Sequence, residues 1–527
     1  MSSAKEPVTR RFGNGLTVLI KEDKSHPVVS LQYWVGTGSM NEGHWQGSGL
    51  SHLLEHLVFK GTAHFSGQEL ARKVQERGGH WNAYTSVNRT VYYIDGPAES
   101  WQIFLNLLTE LVFFPTFPED EMEREKEVVR REMAMYADDP DSVAYQLLMQ
   151  TLYLKHPRRW PVLGERAAFD CLTRQDVLDY HASRYVPNNV VLSIAGDVDA
   201  AEILSHLELL VENLKSRPLN REPIPHEPHQ FGSRRVRKEF AVPYSKLHLA
   251  WRLPCSAHPD TPALSALSSI LGGGRSARFY EKFHDRLGLV YGIEVHSNQS
   301  ETDEGAFTIS MDVDRAQRDK VRDLVLQELR NLAEEDFTED LKRVCKQTRV
   351  SRLRRRSSAS GMASEMGADW FGARNLNLSS EWQEAIERVT TEDLHRVCST
   401  WLSSPNVTEV SLDPSGSNSG EEEGAASAAG TSLSEHVLGN GMKVVIREDH
   451  RLPLAYACMA FKAGCRAENE HDAGVTDLMA ECLLKGTSTR SAADIARFLE
   501  DIGGAVNTSA GNNSLSVGCQ VLAEDLD

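Results

Sequence analysis

The sequence predicts an α+β protein assembled from repeated domains. Three observations carry that expectation: an internal repeat, an ordered succession of strand-like and helix-like periodicities, and two breaks in composition between them. Residues 12–15 read FGNG, followed by LTVLIKED and a proline at 27, while residues 438–441 read LGNG, followed by MKVVIRED and a proline at 453. After a one-residue slip, GLSHLLEHLVFKGT (49–62) aligns with GVTDLMAECLLKGT (474–487), and ERGGHWNAYTS (76–86) aligns with DIGGAVNTSAG (501–511), placing Gly78 on Gly503 and Asn82 on Asn507. One full unit and the start of a second follow.

Within the first unit, alternating apolar residues predict strands at 16–22 and 28–36, then near 80–95 and 189–196. Helical spacing predicts helices at about 47–60, 67–77, 98–113, 118–137 and 141–154. The stretch SRPLNREPIPHEPHQFGSRRV (216–236) is proline-rich and poor in apolar residues, so it reads as an interdomain connection between a first domain (1–215) and a second (237–413). The second half repeats the type, with strands at 245–252, 289–297 and 305–313 and helices at 260–285 and from 315 onward. Residues 414–432 (PSGSNSGEEEGAASAAGTS) hold almost nothing that builds a core and read as a flexible linker. A third domain starts at about 433 and is expected to be a truncated repeat at 527.

With 57 basic and 75 acidic residues the net charge is −18, which argues against a general nucleic-acid binder and against docking on anionic membranes. No apolar signal segment opens the chain and no run of about 18 apolar residues occurs, so a cytoplasmic location is expected. The eight cysteines are scattered without a CxxC pair and read as structural thiols.

His52, Glu55 and His56 form HxxEH inside an amphipathic stretch. Residues i and i+4 share one helical face, so both imidazoles reach one ion, and Glu55 lies on the same side. Neutral imidazole suits Zn²⁺, a catalytic site uses three protein ligands plus an open position, and a nearby carboxylate can take a proton from activated water. The motif is HExxH reversed, the signature of inverted zinc peptidases. Farther on, EREKEVVRREMAMY (123–136) carries Glu125 and Glu132 two helical turns apart on one face.

The strings GLSHLLEHLVFKGT, GGHWNAYTSVNRTVYY, EREKEVVRREM, HPRRWPVLG, YVPNNVVLSIAGDVD and GLVYG occur in order over 12–300, and with them the chain resembles the pitrilysin (insulinase) family of zinc metallopeptidases, which includes insulin-degrading enzyme and the mitochondrial processing peptidase. That resemblance implies mainly antiparallel sheets packed with helices in a clam-shell chamber. It also implies one zinc per chain held by His52, His56 and Glu132, with Glu55 as general base. Glu125 would support the metal site from behind the ligands or assist catalysis. The strand matching Asn82, Ala83 and Tyr84 would accept an extended peptide along its edge. Tyr291 matches a tyrosine that reaches the scissile bond, whereas His284 stands where relatives carry an arginine, a departure that weakens the substrate clamp or makes it pH-dependent.

In the second unit His52, Glu55 and His56 fall on Asp477, Ala480 and Glu481, so this site cannot form there. The expectation is a zinc endopeptidase acting on peptides or unfolded polypeptide, as a homodimer or with a second chain supplying the missing half. A non-catalytic scaffold or peptide-binding subunit, and a presequence-processing protease, are the alternatives. The basic run 349–357 reads as a solvated helix face, and the GGGR loop (272–275) lacks the Lys-Ser/Thr of a phosphate-binding loop.

Overall fold

Apolar alternation and short turns set the first sheet. Strands β1 (Val8–Arg11), β2 (Thr17–Glu22), β3 (Val28–Val35), β4 (His80–Thr85), β5 (Thr90–Pro97) and β6 (Val190–Gly196) line up in the order β1-β2-β6-β3-β5-β4. Neighbours are antiparallel except β2 and β6, which run parallel because a long helical segment returns the chain before β6. The computed structural model describes residues 6–219, 223–301, 304–402 and 405–415, and beyond them 433–447, 454–469, 471–492, 494–495, 498 and 505–522.

The central strands β2, β3 and β6 are buried along nearly their whole length, which requires cover on both faces. On one face pack α1 (Leu50–Val58), α2 (Gly67–Gln75), α3 (Trp101–Phe113) and α4 (Glu119–Asp138). Leu53, Leu54 and Leu57 of α1 join Leu31, Tyr33, Ile94 and Leu105 in that core. The chain continues through α5 (Pro140–Leu152), α6 (Arg166–Asp170), α7 (Arg174–Arg184) and α8 (Ala200–Leu210). Among the described residues β4 pairs only with β5, so it forms an edge, and its side chains alternate between exposed and half-buried.

The second sheet comprises β7 (Arg234–Phe240), β8 (Ser245–Leu253), β9 (Gly292–Asn298), β10 (Gly305–Val313) and β11 (Thr408–Pro414), in the order β7-β11-β8-β10-β9. Only β7 and β11 run parallel. Its core gathers residues of α9 (Thr261–Gly272), α10 (Arg318–Asn331) and α11 (Thr338–Arg355) around Leu247, Phe307 and Ile309.

The two sheets exchange helices. Helix α12 (Ala359–Ala373), from the second half, covers the bare face of the first sheet, where Ala363 and Met366 meet Leu19, Trp34, Val91 and Val191. Ser193 Oγ donates to the Ala363 carbonyl at 2.7 Å, and Gln32 Nε2 donates to the Ser360 carbonyl at 3.1 Å. Gly367 admits the buried Trp34 ring, since a Cβ there would lie 2.3 Å from it. In return, α5 sets Leu148, Met149 and Leu152 against Ala250, Ala306 and Val410 of the second sheet. The connection between halves is pinned by Glu227, whose carboxylate accepts the N–H groups of Leu154, Lys155 and His156 at 2.7, 2.8 and 2.9 Å.

Several sequence expectations shift. The predicted connection runs into β7, so Arg234 to Val236 are strand, while 220–222 lie outside the described residues. The predicted helix at 47–60 is shorter, because Gly49 occupies left-handed backbone and ends it on the N-terminal side. Strands β1 and β11 and helices α6 to α8 were not anticipated. The predicted linker falls mostly on 416–432, outside the described residues, and its first residue, Pro414, belongs to β11.

Residues Met1–Ser417 form one compact unit and Asn418–Asp527 a second. Taken by itself, the second holds the pair β12 (Leu433–Val437) and β13 (Lys443–Arg447) and a sheet of β14 (Leu454–Phe461), β15 (Ala505–Ala510) and β16 (Leu515–Leu522), ordered β14-β16-β15. The helix Val475–Cys482 starts at Gly474, with φ of +90°, as α1 starts at Gly49 with φ of +71°. Gly503 of the aligned pair lies outside the described residues, and Asn507 sits in β15 as Asn82 sits in β4.

Candidate metal centre

Helix α1 buries Leu50, Leu53, Leu54 and Leu57 completely, and this fixes which way its other face points. His52, Glu55 and His56 share that other face, and α4 packs against it. One ligand atom each from His52, His56 and Glu132 lie within 4.8 Å of one another. Glu132 Oε2 is 3.8 Å from His52 Nε2 and 3.9 Å from His56 Nε2. Ligand atoms about 2.0–2.2 Å from a tetrahedral zinc stand slightly closer together than this, so small side-chain rotations complete the set, and two imidazoles with one carboxylate suit Zn²⁺.

The ionisable groups of the site are shifted in different directions. Burial, with His56 beside it, drives His52 down to about 3, so its ring is neutral at ordinary pH. His56 meets the same burial, but its hydrogen bond to Glu125 and the carboxylates of Glu55, Glu125 and Glu132 outweigh it and hold the ring above its usual value. Its Nδ1 lies 3.1 Å from Glu125 Oε2, an acceptor that assigns a proton to Nδ1, and its Nε2 faces Glu132. Glu125 would be raised by burial, yet hydrogen bonds from His56 and Lys60 hold it below the usual carboxylate range. Burial raises Glu132 and Glu55. In Glu55 that effect is opposed by hydrogen bonds from the Thr85 hydroxyl and backbone. Thr85 ends β4, so the edge strand terminates on the carboxylate expected to act as base.

Asn82, Ala83 and Tyr84 lie along β4, opposite Tyr93, Tyr92 and Val91. Tyr84 is exposed, and Asn82 Oδ1 accepts the Ala83 N–H at 2.9 Å. Tyr291 and His284 make their described contacts within the second half. The Tyr291 hydroxyl donates to Asp314 at 3.0 Å and its ring packs on Tyr244, while His284 bonds Asp285 at 2.8 Å and stacks on Tyr280. The structure thus gathers His52, Glu55, His56, Glu125 and Glu132 with the end of β4.

Glu42 was not anticipated. It is fully buried, it accepts the Ser51 N–H at 2.9 Å, and the amides of Gly47 and Gly49 face the same carboxyl. Gly49 has no side chain to cap α1, so Glu42 satisfies a first-turn donor from a distance of nine residues. An acid next to a glycine-rich loop was the only sequence signal. Burial pushes Glu42 up to about 8, far above an ordinary carboxyl. A folded-state value raised in this way stabilises the protein fully below the unfolded value, and that stability is lost as pH rises through 8. Chemical denaturation at pH 6 and pH 9 is expected to show the wild type losing on the order of a few kcal/mol. Glu42→Gln flattens the change, and equal slopes in the two proteins would mean that Glu42 is ionised throughout.

The surroundings of the site agree with its ancestry. Residues 17–166 and again 443–527 match the family described as insulinase (peptidase family M16), and residues 172–347 match the peptidase M16 inactive domain. The chain belongs to the M16 peptidase family. The same family description thus falls on both copies of the repeat, and the M16 half-site in 443–527 lacks both histidines. This M16 chain is 27% identical over 412 residues to an uncharacterized zinc protease of Rickettsia felis, covering 76% of this chain and 96% of that protein. It is 27% identical over 421 residues to the zinc protease PqqE of Helicobacter pylori, covering 78% and 93%. The crystal structure of a protease from Helicobacter pylori superposes with a TM-score of 0.71 at 26% identity, covering 78% of this chain and 100% of that one. A peptidase M16 inactive domain from Pseudomonas fluorescens, at 21% identity and a TM-score of 0.72, shares the fold. The α+β reading with largely antiparallel sheets is borne out. No helix among the described residues is long and apolar enough to cross a membrane, and no disulfide joins any of the eight cysteines.

Proposed function

We propose that the chain is a zinc-dependent endopeptidase that cleaves peptides or extended polypeptide segments. The observation that supports this most is the convergence of His52, His56 and Glu132 within 4.8 Å, with Glu55 on the same face of α1. His52 and His56 would hold one zinc through Nε2, and Glu132 through its carboxylate. A zinc ion held there supplies Lewis acidity, acidifying water toward a pKa of about 7 and polarising a carbonyl. Glu55 takes the proton from the attacking water and passes it to the leaving amide nitrogen. Its raised proton affinity suits both transfers, and Thr85 keeps its carboxylate aimed.

Edge strand β4 provides the place for substrate. An extended peptide pairing with the backbone of Asn82, Ala83 and Tyr84 adds a strand to the first sheet and runs toward Thr85 and Glu55. Such pairing reads backbone rather than sequence, so unfolded or short peptides are the expected substrates. Tyr291 and His284 are assigned to the substrate from the second half, and the partner is a second copy or another chain that closes over the site.

The test pairs elemental analysis with a quenched fluorogenic peptide, wild type beside His56→Ala. About one zinc per chain together with cleavage, both lost in the variant, is the expected result. A wild type without zinc overturns the proposal and promotes a peptide-binding scaffold.

A further inference from the structure

The two histidines of the candidate site are not held alike. His52 Nδ1 is buried and has no hydrogen-bond partner among the described residues, so no polar group holds that ring from behind. His56 Nδ1 is fixed by Glu125 Oε2 at 3.1 Å, and the other oxygen of the same carboxylate lies 2.6 Å from the ammonium of Lys60. Glu125 is therefore a two-ended strap between α4 and the end of α1, with one oxygen on His56 and one on a lysine four residues farther along. The carboxylate is only 10% exposed, so its rotamer is confined, and Lys60, at 29%, closes the side that faces solvent.

We infer that Lys60 is a positioning residue: it clamps Glu125, and through Glu125 it fixes the proton and orientation of the His56 ring. This rests on the metal-binding reading for its consequence but on the contacts of Glu125 with His56 and Lys60 for its geometry. A carboxylate behind a ligating histidine sets the tautomer and aim of the ring, and losing such a partner typically weakens metal binding about 10–100-fold. An ammonium on the far oxygen keeps that carboxylate from swinging to water, where it would leave Nδ1 without an acceptor. Because His52 has no such partner, the aim of the pair depends on the His56 side. The second unit supplies a control, since Lys485 aligns with Lys60 in LLKGT although Glu481 stands in place of the histidine.

The experiment compares wild type, Lys60→Met, Lys60→Gln, Lys60→Arg and Lys485→Met, first without metal. With nitrogen-15 histidine labels, the wild type is expected to show a slowly exchanging His56 Nδ1 proton, lost in Lys60→Met and Lys60→Gln and retained in Lys60→Arg and Lys485→Met. Zinc affinity by competition with a chelator is expected to fall about 10–100-fold in the two neutral Lys60 variants, with the melting of the metal-free protein unchanged. A retained His56 proton in both neutral variants overturns the inference, as does a melting loss that accounts for the weaker zinc. If the wild type takes up no zinc, the proposed function falls, and the His56 proton alone still decides whether Lys60 is the clamp.

Discussion

Replacing Glu55 with glutamine is expected to lower peptide cleavage by about 10²–10⁴-fold while leaving zinc content unchanged. Glutamine keeps the size of the side chain and its Oε1 acceptor for Thr85, but it cannot accept a proton from water. Glu55 is not among the three groups whose ligand atoms converge, so the metal has no direct claim on it. Zinc content by elemental analysis and kcat/KM on the same preparation separate the two functions. Loss of both together would move Glu55 from base to ligand. Retention of full activity would assign the proton transfer to another group.

The second large effect is expected at Gly49. Its backbone is left-handed, with φ of +71°, and a Cβ there would lie 2.0 Å from the Leu163 carbonyl oxygen. Gly164 makes the reciprocal approach, where a Cβ would lie 2.3 Å from the Ser48 carbonyl carbon, and Glu165 N–H donates to the Gly47 carbonyl at 2.8 Å. Two stretches of backbone thus pass in contact at the entry to α1. Left-handed backbone costs a residue with a Cβ about 1–2 kcal/mol, and overpacking adds about 1–3 kcal/mol. Gly49→Ala is therefore expected to destabilise the first unit by roughly 2–5 kcal/mol and to weaken zinc binding by displacing α1. Gly474 aligns with Gly49 at φ of +90°, but nothing among the described residues lies within 4 Å of a Cβ there. Gly474→Ala should show the backbone effect alone in a parallel melting experiment. A Gly49→Ala protein as stable as Gly474→Ala would mean that the 163–165 segment moves aside.

The first sheet and α1 were legible because their side chains follow one rule: apolar residues go inward at period two or 3.6. Strand β11 obscures that rule. Its Thr408, Glu409, Ser411 and Asp413 are all buried, with Glu409 paired to Arg235, Arg237 and Arg322 and Asp413 paired to Arg318. An isolated polar segment becomes interior only through arginines distant in sequence, and β7, which supplies two of them, reads as a charged surface for the same reason. At the site, His52, Glu55 and His56 could be placed together from helical spacing alone, and Glu132 from resemblance. Glu42 and Lys60 escaped because their roles exist only through partners, Ser51 in one case and Glu125 in the other. The basic run at 349–357 lies at the end of α11, where Arg352 reaches Glu365, as a paired helix face should.

The exchange of helices between the sheets also bears on how the chain is born. As the polypeptide leaves the ribosome, all six strands of the first sheet are available once residue 196 has emerged, yet Trp34, Val91 and Val191 have no cover until α12 is made, ending at residue 373. For some 180 residues of synthesis, the half that carries every candidate ligand has an apolar face open to water. The first half is thus expected to complete its folding only after the half that carries no candidate ligand has been translated.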